Sequence, residues 1–171
     1  MRAPSTRITI LIDNEAAYGL TAEHGFSLWL EAEGRHVLFD TGQSGAFADN
    51  ARILGIDLCR ADSVVLSHGH YDHSGGLPAA LRLAGKASVY CHPGAVSPRF
   101  SLSDGTPRSI RMPAASLMAL DRLPVEQLHW LQKALLLDDG IGLTGPVPRE
   151  TDYEDTGGQF FLDRRGQRPD P

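Results

Sequence analysis

Within Ser67-His68-Gly69-His70-Tyr71-Asp72-His73-Ser74-Gly75-Gly76, three imidazoles and a carboxylate fall inside six consecutive positions. They follow directly on Ser63-Val64-Val65-Leu66, an apolar run without polar alternation. Such a run predicts a strand buried on both faces of a layered α/β domain. Imidazole nitrogen and carboxylate oxygen suit a borderline divalent ion such as zinc, and four donors exceed what one general base requires. Residues two apart in an extended loop project to the same side, so His68 and His70 are expected to chelate one ion. Asp72 and His73, beyond the turn, are expected to face a second. Gly69, Gly75 and Gly76 suit a tightly folded loop that a solvated histidine cluster would not need.

The rest of the chain places this loop at a sheet edge. Arg7 to Asp13 and Phe26 to Glu33 read as strands, the second with one solvated face. Gly34-Arg35 turns the chain into a third strand, His36-Val37-Leu38-Phe39, which ends at Asp40-Thr41-Gly42. Gly45 to Leu54 has helical spacing with Gly55 as its C-terminal cap. Leu77 to Leu83 reads as a helix started near Pro78, and Ala87 to Tyr90 as the next strand, giving a strand, loop, helix, strand unit. Pro93 to Pro113 is rich in Gly, Pro and Ser. Val125 to Leu137 predicts a helix that includes His129, and Thr151 to Pro171 reads as loop around Phe160-Phe161-Leu162. A single domain over 1–171 follows, with a β meander and histidine unit over 1–93 and a loop-rich insertion and helix over 94–171.

The 171 residues suffice for one domain, and 42% hydrophobic with 22% charged residues is globular composition. A net charge of -5 gives no footprint for nucleic acid, so a small-molecule substrate is the expected partner. Ile8 to Ile12 is too short for a signal or membrane segment, and no membrane partner is expected. The two cysteines, Cys59 and Cys91, read as small core residues in a reduced, cytoplasmic protein, with a single bridge between them the alternative. His36 is expected to face outward from its hairpin.

His68-Gly-His70-Tyr-Asp72-His73, the HxHxDH motif, preceded by Phe39-Asp40-Thr41-Gly42, resembles the metallo-β-lactamase superfamily. Gly19-Leu20-Thr21-Ala22-Glu23-His24-Gly25 and Tyr90-Cys91-His92-Pro93 resemble its dihydropterin or methanopterin-related ribofuranosyl-aminobenzene phosphate synthase branch. The resemblance implies an αββα sandwich, of which this chain would supply the first half to two-thirds. It further implies a dinuclear zinc-type centre, with Mn or Fe as alternatives, and metal-dependent hydrolysis. Carried over by position, His68 and His70 match ligands of the first ion, Asp72 and His73 match ligands of the second, and Asp72 also orients the attacking water. Asp40 would either orient a ligating histidine or cap the following turn. Glu23 and His24 lie near the site or in a plain hairpin loop. His92 is a ligand, a substrate contact or a structural residue, and Arg149 meets a substrate anion or lies on the surface. Family members continue into a second half that supplies further ligands. Its absence would leave one sheet face uncovered and open to self-association. A catalytically incompetent metal-binding or partner-binding half-domain is the alternative function.

Overall fold

The computed structural model describes residues 6–103, 105–138, 140–151, 153–154 and 158–170. Met1 to Ser5, on which the reading of the start partly rested, and Pro171 lie outside the described residues. The chain opens with strands β1 (Arg7–Ile12), β2 (Ser27–Ala32) and β3 (Arg35–Phe39), paired antiparallel in the expected meander. Ala32 faces Arg35 across a two-residue turn in which Glu33 and Gly34 have φ of 51° and 77°. Two left-handed residues make the hairpin turn whose twist matches that of the strands, and Gly34 carries its share without a Cβ clash.

Helix α1 (Ala46–Ile53) returns the chain to β4 (Ser63–Val65), which pairs parallel with β3. The short helix α2 (Tyr71–Ser74) and α3 (Leu77–Leu83) lead to β5 (Ser88–Cys91), parallel to β4. The expected β4 to β5 unit is thus present. Further on come β6 (Phe100–Ser101), β7 (Arg108–Ser109), α4 (Ala114–Asp121), β8 (Leu128–Trp130), β9 (Leu135–Asp138), β10 (Ile141–Leu143) and β11 (Phe160–Phe161). The main sheet runs β1-β2-β3-β4-β5-β8 and is parallel from β3 onwards.

Several expectations need correction. Val125 to Leu137 is not a helix: Leu128 to Trp130 pairs with Val89 to Cys91, and Leu135 to Asp138 pairs with β10. A short apolar run satisfies helix and strand patterns alike, and here the exposed edge of β5 decides. The helix lies instead at Ala114–Asp121, composed of strong helix formers behind Pro113. In β2, Trp29 and Ser27 are buried while Leu28 and Leu30 are partly covered, so neither face is solvated. His36 stacks on Trp29 at 5.5 Å, with only 11% of its side chain exposed, instead of facing outward. Cys91 is buried but Cys59 is exposed, because Leu58 takes the core position in that turn; both thiols are free.

The helical layer covers one face, where Trp29, Leu38, Val64 and Val89 pack with Phe47, Leu77 and Leu120. Removing about 200 Å² of Trp29 from water is worth about 5 kcal/mol before ordering costs. The opposite face is not bare. Val37 and Val65, with Phe39 and Tyr90 beside them, pack against Ile141, Leu137 and Leu143 of the β9-β10 hairpin. That cover is partial, since Leu136 remains largely exposed.

Candidate metal centre

In a parallel sheet, ligand-binding loops gather beyond the carboxyl ends of the strands. Asp40 follows β3, Ser67 and His68 follow β4, and His92 follows β5, so the parallel pairing alone brings these residues to one edge. The loop between β4 and α2 is held from several sides. Phe26 N donates to Asp72 O, Thr41 N to His73 O, and Tyr71 N to Ile110 O. Ser116 Oγ of α4 donates to Ser74 O at 2.8 Å. A Cβ on Gly69 would stand 1.8 Å from the carbonyl oxygen of Ala95, so only glycine passes there.

Asp40 lies beneath this loop, fully buried and with φ of 55°. Its carboxylate accepts hydrogen bonds from Ser67 N at 2.8 Å, Ser67 Oγ at 2.6 Å and His73 Nδ1 at 2.8 Å. Of the two roles open to Asp40, the structure shows the contact with a histidine. His73 Nδ1 therefore carries the hydrogen, and its Nε2 keeps a lone pair. Ser67 spends its hydroxyl hydrogen on Asp40, so it accepts from His68 Nδ1 at 2.9 Å and sets the same tautomer there. One buried carboxylate thus orients two imidazoles, the second through Ser67, a residue the sequence reading treated only as part of a turn.

The rings of His68 and His70 lie 4.4 Å apart, and those of His68 and His73 lie 4.2 Å apart. His73 is thus as near to His68 as His70 is, and the three rings form one cluster. Asp72 Oδ2 stands 3.7 Å from His73 Nε2 and 3.3 Å from His24 Nε2. His70 Nε2 is buried with no hydrogen-bond partner. Burial, followed by the neighbouring His73, His70 and Arg99, pushes His68 down to about 3. Burial also lowers His70, against the pull of Asp72. For His73 burial acts downward too, but the bond and charge of Asp40 and the charge of Asp72 outweigh it and raise the ring.

Imidazoles held in fixed orientations, an orphaned buried nitrogen and an adjacent carboxylate form a donor set suited to a divalent ion. Among the described residues, no three His, Cys, Asp or Glu side chains are arranged to hold an ion as they stand. The loop therefore supplies donors for part of a coordination sphere.

The other candidates separate. His24 joins the cluster through Asp72, whereas the Glu23 carboxylate accepts from Gln43 N, Ser44 N and Ser44 Oγ and braces the loop after β3. His92 and Arg149 both line a cleft of about 870 Å³ that also reaches His68 and has Phe39, Val65 and Leu66 in its wall. His92 Nδ1 accepts from Gly94 N, which turns that ring nitrogen towards its own backbone. Arg99 and Asp170, absent from the sequence reading, line the same cleft. No local pattern marks a pair 71 positions apart.

Comparison with known proteins agrees with this fold. The model of the metallo-beta-lactamase superfamily matches residues 20–168. The crystal structure of a metal-dependent hydrolase of the beta-lactamase superfamily superposes with a TM-score of 0.72 at 32% identity, over 97% of this chain and 57% of that one. An uncharacterized protein of Methanocaldococcus jannaschii is 33% identical over 151 residues, 86% of this chain and 56% of the relative. From the same organism, 7,8-dihydropterin-6-methyl-4-(beta-D-ribofuranosyl)-aminobenzene-5'-phosphate synthase is 28% identical over 116 residues, 60% of this chain and 40% of the relative. The chain spans about half the length of the curated relatives it matches. Among the described residues, no helix is long and apolar enough to cross a membrane.

Proposed function

The chain belongs to the metallo-β-lactamase superfamily, and from that premise we propose that it carries the ligand loop of a metal-dependent hydrolase acting on a small-molecule ester, phosphoester or related substrate. The observation that carries this reading is the Asp40 anchorage. A buried carboxylate that fixes His73 directly and His68 through Ser67 is the outer-shell arrangement by which proteins orient metal-ligating imidazoles.

His68, His70 and His73 would hold the ions by nitrogen and Asp72 by oxygen, in a dinuclear zinc-type centre completed by ligands from outside these 171 residues. The bound ions would supply Lewis acidity, bringing water towards ionisation near neutral pH. This chain's own groups do the rest. Asp72, beside His73 and His24, accepts the proton of the attacking water and fixes its direction. The cleft seats the substrate against His68, with His92 and Arg149 placed to meet its polar groups. Asp40 and Ser67 keep two imidazoles aimed throughout.

The test is Asp72→Ala in a protein of the relatives' full length, assayed with zinc against a panel of phosphodiesters, thioesters, lactams and lactones. Loss of turnover with an unchanged circular dichroism spectrum is expected; retained turnover would refute the role. That no three such side chains among the described residues are arranged to hold an ion as they stand supports a second reading, a metal-binding half-domain without catalysis of its own. A full-length protein that binds zinc and hydrolyses nothing in the panel would favour it.

A further inference from the structure

Two buried polar atoms among the described residues have no hydrogen-bond partner: His70 Nε2 and Asp170 Oδ1. They belong to neighbouring side chains, since Asp170 Oδ2 stands 3.9 Å from His70 Nε2. A carboxylate oxygen is an acceptor, and a neutral imidazole nitrogen with its lone pair free is another. Buried polar atoms without partners cost free energy, and a cation held between these two side chains, with the His70 proton on Nδ1, would satisfy both.

The segment bearing Asp170 is seated firmly over the loop. Asp170 N donates to Phe160 O, and Phe161 bridges to Pro169, which fastens the segment to β11. β11 pairs with β6, and the Phe160 ring meets the His70 ring edge-on at 5.1 Å. Arg99 then grips the carboxylate, its Nε 2.6 Å from Asp170 Oδ2, while its Nη1 donates to Gly94 O at 2.6 Å. Both side chains of that ion pair are only 11% exposed. The grip falls on Oδ2, the oxygen 3.9 Å from His70 Nε2, and leaves Oδ1 of the same carboxylate bare.

We propose that Asp170, docked on Arg99 and facing His70, contributes a carboxylate oxygen to the cation that the histidine loop binds. The inference rests on the loop being a metal site and adds to it a donor from the far end of the chain. At zinc bond lengths of about 2.0 to 2.2 Å, two tetrahedral ligand atoms stand roughly 3.4 Å apart, so a closure of about half an ångström brings His70 Nε2 and Asp170 Oδ2 onto one ion. Arg99 then plays the part that outer-shell hydrogen bonds play for ligating carboxylates, fixing the orientation while neutralising charge.

The experiment is a cobalt(II) titration of the 171-residue chain, followed by the visible absorption of the bound ion. Asp170→Asn is expected to weaken cobalt binding roughly 10- to 100-fold and to alter the absorption band. Arg99→Met, which releases the same carboxylate without deleting it, gives a smaller loss of several-fold. His70→Ala marks the loss of a loop ligand. Unchanged affinity and band in folded D170N, beside a clear loss in H70A, overturn the role of Asp170 alone. Should D170N fail to fold, R99M decides: unchanged affinity there overturns the proposal. A wild-type chain that binds no cobalt overturns it together with the metal reading of the loop.

Discussion

Asp40 Oδ2 lies 2.8 Å from His73 Nδ1, and the same oxygen takes the hydroxyl of Ser67, which in turn faces His68 Nδ1 at 2.9 Å. One buried charge thereby governs two imidazoles. Asp40→Ala would leave the Ser67 N–H, the Ser67 hydroxyl and the His73 N–H without their acceptor, and is expected to cost about 3 kcal/mol of stability in urea unfolding. Asp40→Asn keeps the volume and tolerates the left-handed backbone, but its amide nitrogen cannot accept. It should fold with modest loss and bind cobalt roughly 10- to 100-fold more weakly than wild type. Equal cobalt affinity in D40N would show that ring orientation does not depend on the charge.

The parts of this site legible in the sequence are those set by local chemistry. Asp72 and the three loop histidines are read from spacing behind a buried strand, and the β3-β4-β5 order follows from strand, loop and helix signals. Gly34 announced its turn because only a left-handed residue fits there. The β8 segment has a helical pattern in the sequence because its strand character comes from pairing with Val89 to Cys91, a contact that Leu128 to Trp130 cannot encode alone. Ser67 looked like turn chemistry because its partner, Asp40, lies 27 positions away. Asp170 gave no signal at all, since its neighbours Arg99 and His70 arrive only through β6 and β11.

Gly69 and Gly34 separate two reasons for glycine. At Gly34 the left-handed φ of 77° is the whole constraint, with nothing within 4 Å of an added Cβ, so Gly34→Ala should cost about 1 to 2 kcal/mol. At Gly69 the obstacle is backbone, the Ala95 carbonyl at 1.8 Å, and no rotamer relieves it. Gly69→Ala is expected to cost about 3 kcal/mol or more, and to displace the loop that presents His68 and His70. Urea midpoints that rank the two variants in the opposite order would contradict this.

The cysteines should differ in reactivity. Cys91 is 1% exposed, and burial pushes its thiol up to about 12, whereas Cys59 is exposed in the turn after Asp57. The thiolate is the reactive form and must also be reached. A disulfide reagent at pH 8 is expected to modify one thiol per native chain and two after unfolding in urea. Two fast thiols in the native chain would mean that the edge strand β8 parts readily from β5.

The sequence admits His24 both as a site residue and as part of a hairpin loop, and its contact with Asp72 sets it beside the histidine loop. Asn14 Oδ1 is an acceptor 2.9 Å from His24 Nδ1, so that nitrogen carries the hydrogen and Nε2 turns its lone pair on Asp72 Oδ2 at 3.3 Å. Two acceptors in that position attract only if a cation or proton lies between them. If the loop binds an ion at its Asp72 end, that ion should also touch the His24 ring, and His24→Ala should weaken this end several-fold. In a proton NMR titration, cobalt should broaden the ring signals of His24 together with those of His68, His70 and His73. His36, stacked on Trp29 at the opposite end of β3 from Asp40, is the internal control and should stay sharp. Sharp His24 signals beside broadened loop histidines would place it outside the centre and leave its contact with Asp72 a structural one.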